Sequence, residues 1–252
     1  MAKKEAKTGH PIRVGVGGWT YDPWNETFYP ADLAKKRQLE YASRQLTTIE
    51  INGTFYRTQT PATFQKWAGE TPEDFVFTVK AHNYCMSRKT PQEMKDSIGH
   101  FVGSGVTELG ARLGAINWQF HPSKKFAADY FERFLSLLPK EHKGVALRHA
   151  IEVRDKSFQT GEFEALLRKH GCAIVAADDD DWPQPDLKTA DFAYIRLQRT
   201  KADEATGYPK TEISSWAKTF KDWGKDRDVF AFFIAGAKER NPAAAKALIA
   251  AL

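Results

Sequence analysis

The 252-residue chain is 42% hydrophobic and 27% charged, enough for one core of ordinary domain size and too little chain for two independent catalytic domains. Its formal charge of +5 is too small to mark a nucleic-acid binder, and no run approaches the roughly 18 apolar residues of a membrane span. Two cysteines, Cys85 and Cys172, form neither a disulfide framework nor a zinc motif, so a reducing, cytoplasmic setting is expected.

Residues 1–11 carry three lysines and one glutamate without an apolar stretch, which predicts a disordered basic tail rather than a secretory signal. From residue 12 to 252, short β-rich runs alternate with helical patterns. The strand-like runs are 12–17, 48–51, 75–80, 111–119, 145–153, 173–177, 192–197 and 229–234. Between them, Asp32 is placed to cap a helix over 33–46, and Thr60 with Pro61 to open one over 62–69. Apolar spacing predicts further helices over 127–138, 163–170 (closed by Gly171), 214–223 and 243–252. Eight βα units in a chain of this length predict an α/β fold, a single-domain (β/α)8 TIM-type barrel. The doubly wound alternative wants a GxGxxG turn after the first strand; Gly15-Val16-Gly17-Gly18 lacks the third glycine and leads to Pro23 and Trp24.

In such a barrel the chemistry sits where strands end. The strand ends here carry Trp19 and Tyr21 after the first, Glu50 and Asn52 at the second, Lys80 and His82 at the third and Gln119 and His121 at the fourth. The fifth to seventh supply Glu152 and Arg154, then Asp178, then Arg196. The two-residue spacing of Glu50 with Asn52, Lys80 with His82 and Glu152 with Arg154 puts each pair on one strand face. Ionised groups inside a sheet buried on both sides are costly unless paired or functional, so these residues are either a structural ion network or an anion pocket.

Other signals are weaker. Glu50 and Glu152, three strands apart, could act as the paired carboxylates of a glycosidase with Trp19, Tyr21 and Trp24 as sugar platforms, but the neighbouring cations would lower their pKa values, the wrong direction for a general acid. The run Asp178 to Asp181 lacks the ligand spacing of a calcium loop and reads as a solvated loop, with Asp178 its best candidate ligand. Seven histidines show no HxH or HExxH grouping, and His149 reads as a locally bonded residue. Cys85, near Arg88 and Lys89, has no evident base. Trp67, Trp216 and Trp223 read as core.

The block Gly17-Gly18-Trp19-Thr20-Tyr21 with Trp24 and Phe28-Tyr29-Pro30, followed by Glu50-Ile51-Asn52-Gly53-Thr54-Phe55-Tyr56, resembles the hallmark motifs of the YecE-like family, domain of unknown function seventy-two. Phe75 to Ala81, Trp118-Gln119-Phe120, His149 to Arg154 and Tyr194-Ile195-Arg196-Leu197 extend the resemblance over nearly the whole chain from Ile12. It implies a (β/α)8 barrel and names no activity. Gln198-Arg199 stands where the family usually has His-Gly, and Ile234-Ala235-Gly236-Ala237 where an Asn-rich stretch usually follows the last strand.

The expectation is a barrel enzyme binding a small anionic or phosphorylated ligand. Glu152, Glu50 and Lys80 form the catalytic set, with Glu152 as general acid or base. Trp19, Tyr21, Asn52, Gln119, Arg154, Asp178 and Arg196 form the binding set, with no metal, cofactor or membrane partner. The alternative from another class is a barrel gripping nucleic-acid phosphates through Arg88, Lys89, Arg154, Arg196 and Arg199, with or without phosphodiester cleavage. A non-catalytic scaffold is the third reading.

Overall fold

The computed structural model describes residues 9–179, 182 and 188–252. Residues 1–8, most of the expected tail, lie outside them, as do Asp180 and Asp181 of the acidic run. Eight parallel strands close a barrel: β1 (Ile12–Gly17), β2 (Thr48–Ile51), β3 (Val76–Lys80), β4 (Leu113–Gln119), β5 (His149–Glu152), β6 (Ala173–Ala177), β7 (Phe192–Leu197) and β8 (Asp228–Phe233). Each strand pairs with its sequence neighbours and β8 returns to β1. The helices α1 (Trp24–Thr27), α2 (Gln38–Gln45), α3 (Pro61–Glu70), α4 (Pro91–Gly103), α5 (Ala128–Ser136), α6 (Gly161–His170) and α7 (Lys210–Trp223) lie between the strands in sequence, and α8 (Asn241–Ala251) follows the last. No helix of the described residues is long and apolar enough to cross a membrane.

Three expectations need correction. Asp32 caps nothing: Ala34 is extended, a 3-10 turn follows over Lys35–Arg37, and α2 starts only at Gln38. The run 145–153 is two pieces, because Val145–Ala146 pairs antiparallel with Glu141–His142 in a separate hairpin and only His149–Glu152 joins the barrel. Helix α4 lies outside every predicted helix, although Thr90-Pro91-Gln92-Glu93 spells its start. Thr90 Oγ1 accepts from the Glu93 backbone N–H at 3.2 Å, and the Glu93 carboxylate accepts from the Thr90 N–H at 3.1 Å, a complete capping box.

Strand alternation divides the apolar residues into two bodies. Val76, Ala115, Ala150, Ala173, Val175, Phe192, Tyr194, Phe230 and Phe232 fill the barrel, while the odd-phase residues of the same strands pack against the helices. The filling is lopsided, with alanines on β4 to β6 and aromatic rings on β7 and β8 that cross to meet them. Arg148 closes the N-terminal end: its guanidinium lies over Phe192 and Phe230, donating to Gly114 O at 2.7 Å and Asp228 at 2.8 Å.

Gly15 on β1 is required by close approach, since a Cβ there would sit 1.8 Å from the carbonyl oxygen of Thr48 on β2. Gly69 on α3 has open space around it. Gly15→Ala should therefore destabilise the barrel by about 3 kcal/mol or leave it unfolded, whereas Gly69→Ala should stabilise it by about 0.5–1 kcal/mol. Urea denaturation of the two variants reads both signs.

Candidate functional site

At the C-terminal end of the barrel the inward phase of the strands turns from apolar to ionic. Glu50 (β2), Lys80 (β3), Asn117 and Gln119 (β4), Glu152 (β5) and Tyr194 and Arg196 (β7) meet on the axis. Arg196 is the centre. Its Nη1 donates to both oxygens of Glu152 at 2.9 Å, and its Nη2 donates to Glu50 Oε1 at 3.2 Å. Asn117 Nδ2 spans the same two carboxylates, at 3.0 Å from Glu152 and 3.4 Å from Glu50. The Tyr194 hydroxyl gives its proton to Glu50 and stands 2.9 Å from Thr78 Oγ1. Gln119 donates to Glu152 Oε1, which also accepts from Arg154 at 3.0 Å.

Both glutamates are fully buried and Arg196 is 3% exposed, so their charge states follow from this pairing. Burial by itself would raise the Glu152 carboxyl, but the charges of Arg196, Arg154 and Lys80 with the Asn117 bond pull it down to about 2. Burial likewise disfavours the Arg196 cation, yet Glu152 and Glu50 outweigh it and hold the guanidinium protonated. Tyr194 is pushed well above the ordinary phenol range, first by burial and then by Glu50, so it serves as a donor.

Lys80 is the exception in the cluster. It is 6% exposed, and its Nζ donates to the neutral Gln119 Oε1 at 2.7 Å and lies 4.3 Å above the Phe55 ring. Burial lowers its pKa, the nearby guanidiniums add to the shift, and Glu50 and Glu152 only partly oppose it.

The cluster is also left with unspent polar atoms. Among the described residues, the buried side-chain atoms without a partner include Arg196 Nε, Arg154 Nε, Gln198 Nε2, Asn117 Oδ1 and Asn52 Oδ1, all at this end of the barrel. Asn52 packs on Gly17, where a Cβ would sit 2.4 Å from its Nδ2. Beside the cluster a cleft of about 700 Å³ opens between the loops after β2, β3, β4 and β5, lined by Phe55, Tyr84, Gln119, His121, Lys124 and Arg154. Trp182 stacks on the Arg154 guanidinium at 4.4 Å.

The other residues singled out in the sequence lie elsewhere. Trp19 packs edge-on against Trp67 at 5.2 Å and near Phe77, in the layer between sheet and helices, so it backs the mouth rather than walling it. Tyr21 lies against Trp24 and under Lys238 Nζ. His82 turns back to cap the bend after β3, accepting from the Tyr84 N–H, instead of sharing the inward face with Lys80. Asp178 accepts from the Gln198 N–H at 2.6 Å and from the Tyr208 hydroxyl, bonds that fix the loop after β7. Cys85 is buried, donates to Ser97 O, and is pushed up to about 12 by burial, which makes it unreactive. His149 accepts from Trp118 Nε1 at 3.0 Å and donates to Pro139 O at 2.8 Å, and burial lowers it to about 4. No group of three or more His, Cys, Asp or Glu suited to a metal occurs among the described residues. Asn117, Tyr194 and Thr78 join the site without having been singled out in the sequence, yet each stands two residues before Gln119, Arg196 and Lys80 respectively, the spacing that marks the other pairs.

Residues 13–252 match the family model described as Protein of unknown function DUF72. The chain belongs to this family. A DUF72 family protein from Thermotoga maritima superposes with a TM-score of 0.75 at 24% identity, covering 95% of this chain and 97% of that one. One from Enterococcus faecalis does so with a TM-score of 0.71 at 17% identity, covering 97% and 99%. At these identities the likeness is one of fold. The UPF0759 protein YunF of Bacillus subtilis is 34% identical over 71 residues, 28% of this chain and 24% of its own length. The YecE-like motifs read in the sequence and this match denote the same family.

Two stability measurements test the electrostatics. Arg196→Met strands two buried carboxylates and should cost about 3–5 kcal/mol in urea denaturation. In acid, the unfolded His149 takes a proton near 6.5 that the folded ring refuses until about 4, so stability falls across that interval as pH drops. Glu152 adds a second fall from about 4.5 to about 2, where the unfolded chain binds the proton first. His149→Gln should flatten the upper interval of a Tm-against-pH curve and leave the lower one.

Proposed function

We propose that the barrel mouth is the catalytic site of an enzyme acting on a small anionic ligand of the carboxylate or phosphate class. Arg154, Arg196 and Lys80 form its positive wall, and Asn52, Gln119 and Gln198 supply neutral partners. The observation that carries this reading is the set of unpartnered donors at the mouth: Arg154 Nε, Arg196 Nε and Gln198 Nε2 are groups an oxyanion satisfies.

In this reading Glu152 is the anchor of two guanidiniums and not the proton-transfer group, because a carboxyl held near 2 is neither a donor nor an effective base at neutral pH. Glu50 and Asn117 complete that anchor. The same pairing speaks against sugar hydrolysis, since the two carboxylates share Arg196 and Asn117 instead of flanking open space. A nucleic-acid backbone is served less well. Arg88 and Lys124 lie on the rings of Tyr84 and Tyr130, and Lys125 is paired with Asp155, so the rim cations are partly engaged.

Inorganic phosphate should raise the Tm of the protein in a concentration-dependent way. Arg154→Gln, which removes a partly exposed cation and leaves the Arg196 bridge intact, should weaken that binding by about tenfold or more. Equal stabilisation of both proteins, or none of either, overturns the proposal. A flat response to phosphate together with duplex DNA binding whose log-log salt slope is near −0.9 per phosphate contact would favour the backbone reading instead.

A further inference from the structure

Every carboxylate oxygen of the cluster already has a donor other than Lys80. Glu50 accepts from Arg196, Tyr194 and Asn117, and Glu152 accepts from Arg196, Arg154, Asn117 and Gln119. The buried amine is left with one amide oxygen and an aromatic face. Were its function to neutralise the glutamates, it would compete for one of those oxygens. An ammonium placed beside two guanidiniums, in the interior of a barrel and off every carboxylate, is poorly stabilised as a cation. Such a setting turns a lysine into a nucleophile, since only the neutral amine attacks carbon.

The approach is also built. Phe55 and Gln119, which contact the amine, line the 700 Å³ cleft, as does Arg154. A ligand held by Arg154 in that cleft meets Gln119 first, and displacing the Gln119 amide oxygen bares Nζ.

We propose that Lys80 captures the carbonyl carbon of a small anionic aldehyde or ketone as a Schiff base, with Arg154 and Arg196 holding the substrate's carboxylate or phosphate. This rests on the anion-site reading above. The neutral amine adds to the carbonyl carbon: a C–N bond forms, the C=O π pair moves to oxygen, and that oxygen takes the proton lost by nitrogen. The carbinolamine then loses its C–O bond and a second N–H proton as water, leaving C=N. Nothing is oxidised or reduced. Protonation of the imine restores the positive charge that the free amine sheds, now next to the bound anion.

Reductive trapping tests this directly. The folded protein is incubated with glyoxylate or glycolaldehyde phosphate and sodium cyanoborohydride, with acetaldehyde as the uncharged control, and adducts are mapped by peptide mass spectrometry. The expected result is an adduct at Lys80 exceeding that at the exposed Lys66, formed at least about tenfold faster from one of the anionic aldehydes than from acetaldehyde. It is suppressed by inorganic phosphate and saturates at lower pH than labelling of Lys66. The preferred aldehyde tells carboxylate from phosphate. Lys80→Arg, checked for folding by circular dichroism, should lose the adduct; the wild-type map stands without it. Labelling that follows exposure and spares Lys80, in protein that still binds phosphate, overturns the Schiff base and leaves the anion site standing. Lys80 labelled equally by acetaldehyde and unprotected by phosphate overturns the anion site instead.

Discussion

The Arg196 guanidinium joining Glu50 and Glu152 across the barrel axis is the interaction on which this end of the molecule depends. It ties β7 to β2 and to β5, strands that are not neighbours in the sheet, so it fixes the cross-section of the mouth where hydrogen bonds between adjacent strands do not reach. A planar, permanently charged fork is suited to this because one group serves two carboxylates at once without losing its proton. A point charge on a flexible stem would satisfy one carboxylate and leave the other stranded. Asn117 makes the same span in neutral form, and together they keep two buried negative charges within hydrogen-bond reach of common donors.

That solution has an electrostatic consequence. With both carboxylates committed, Arg154 and Lys80 bring more positive charge than the cluster can balance internally. On the proposed reading, that charge is relieved by an anion entering the mouth or by Lys80 giving up its proton, and the two are complementary: the empty site favours the free amine, and a bound anion favours whatever cation forms on it. Trp182 over the Arg154 guanidinium stabilises that cation without neutralising it.

The barrel is legible in the sequence because its signals are redundant. Each of the eight β-rich runs contains residues of a barrel strand, and Glu50, Lys80 and Glu152 stand at the strand ends, with Asn52, His82 and Arg154 just beyond them. The errors have local causes. The start of α2 slips because Ala34 adopts an extended backbone that propensity does not reveal, and the run 145–153 is split by a hairpin whose turn carries Lys143 and Gly144 at positive φ. Helix α4 escapes the apolar spacing although its capping box is written in residues 90–93. The positions of Glu50, Glu152 and Arg196 are legible as a cluster, but the division of labour among them is not. Which carboxylate oxygens are already taken, and therefore that Lys80 is in surplus, depends on distances across the barrel that no linear spacing encodes. Trp19 shows the converse: a residue in a hallmark motif at a strand end whose ring turns to the helix side and packs.

The departure at Gln198 leaves the ionic floor of the mouth untouched. Its backbone N–H is held by Asp178, whose other oxygen takes the Tyr208 hydroxyl, and that hydroxyl in turn accepts from the Arg199 N–H at 2.8 Å. The path of the chain after β7 is thus held by Asp178 and Tyr208. Gln198 presents to the mouth an amide that does not titrate, with its Nε2 buried and unpartnered. On the proposed reading, the ionic floor and this edge are separate parts of the site, so a change at the edge bears on which ligand is held and leaves the Arg196 bridge intact.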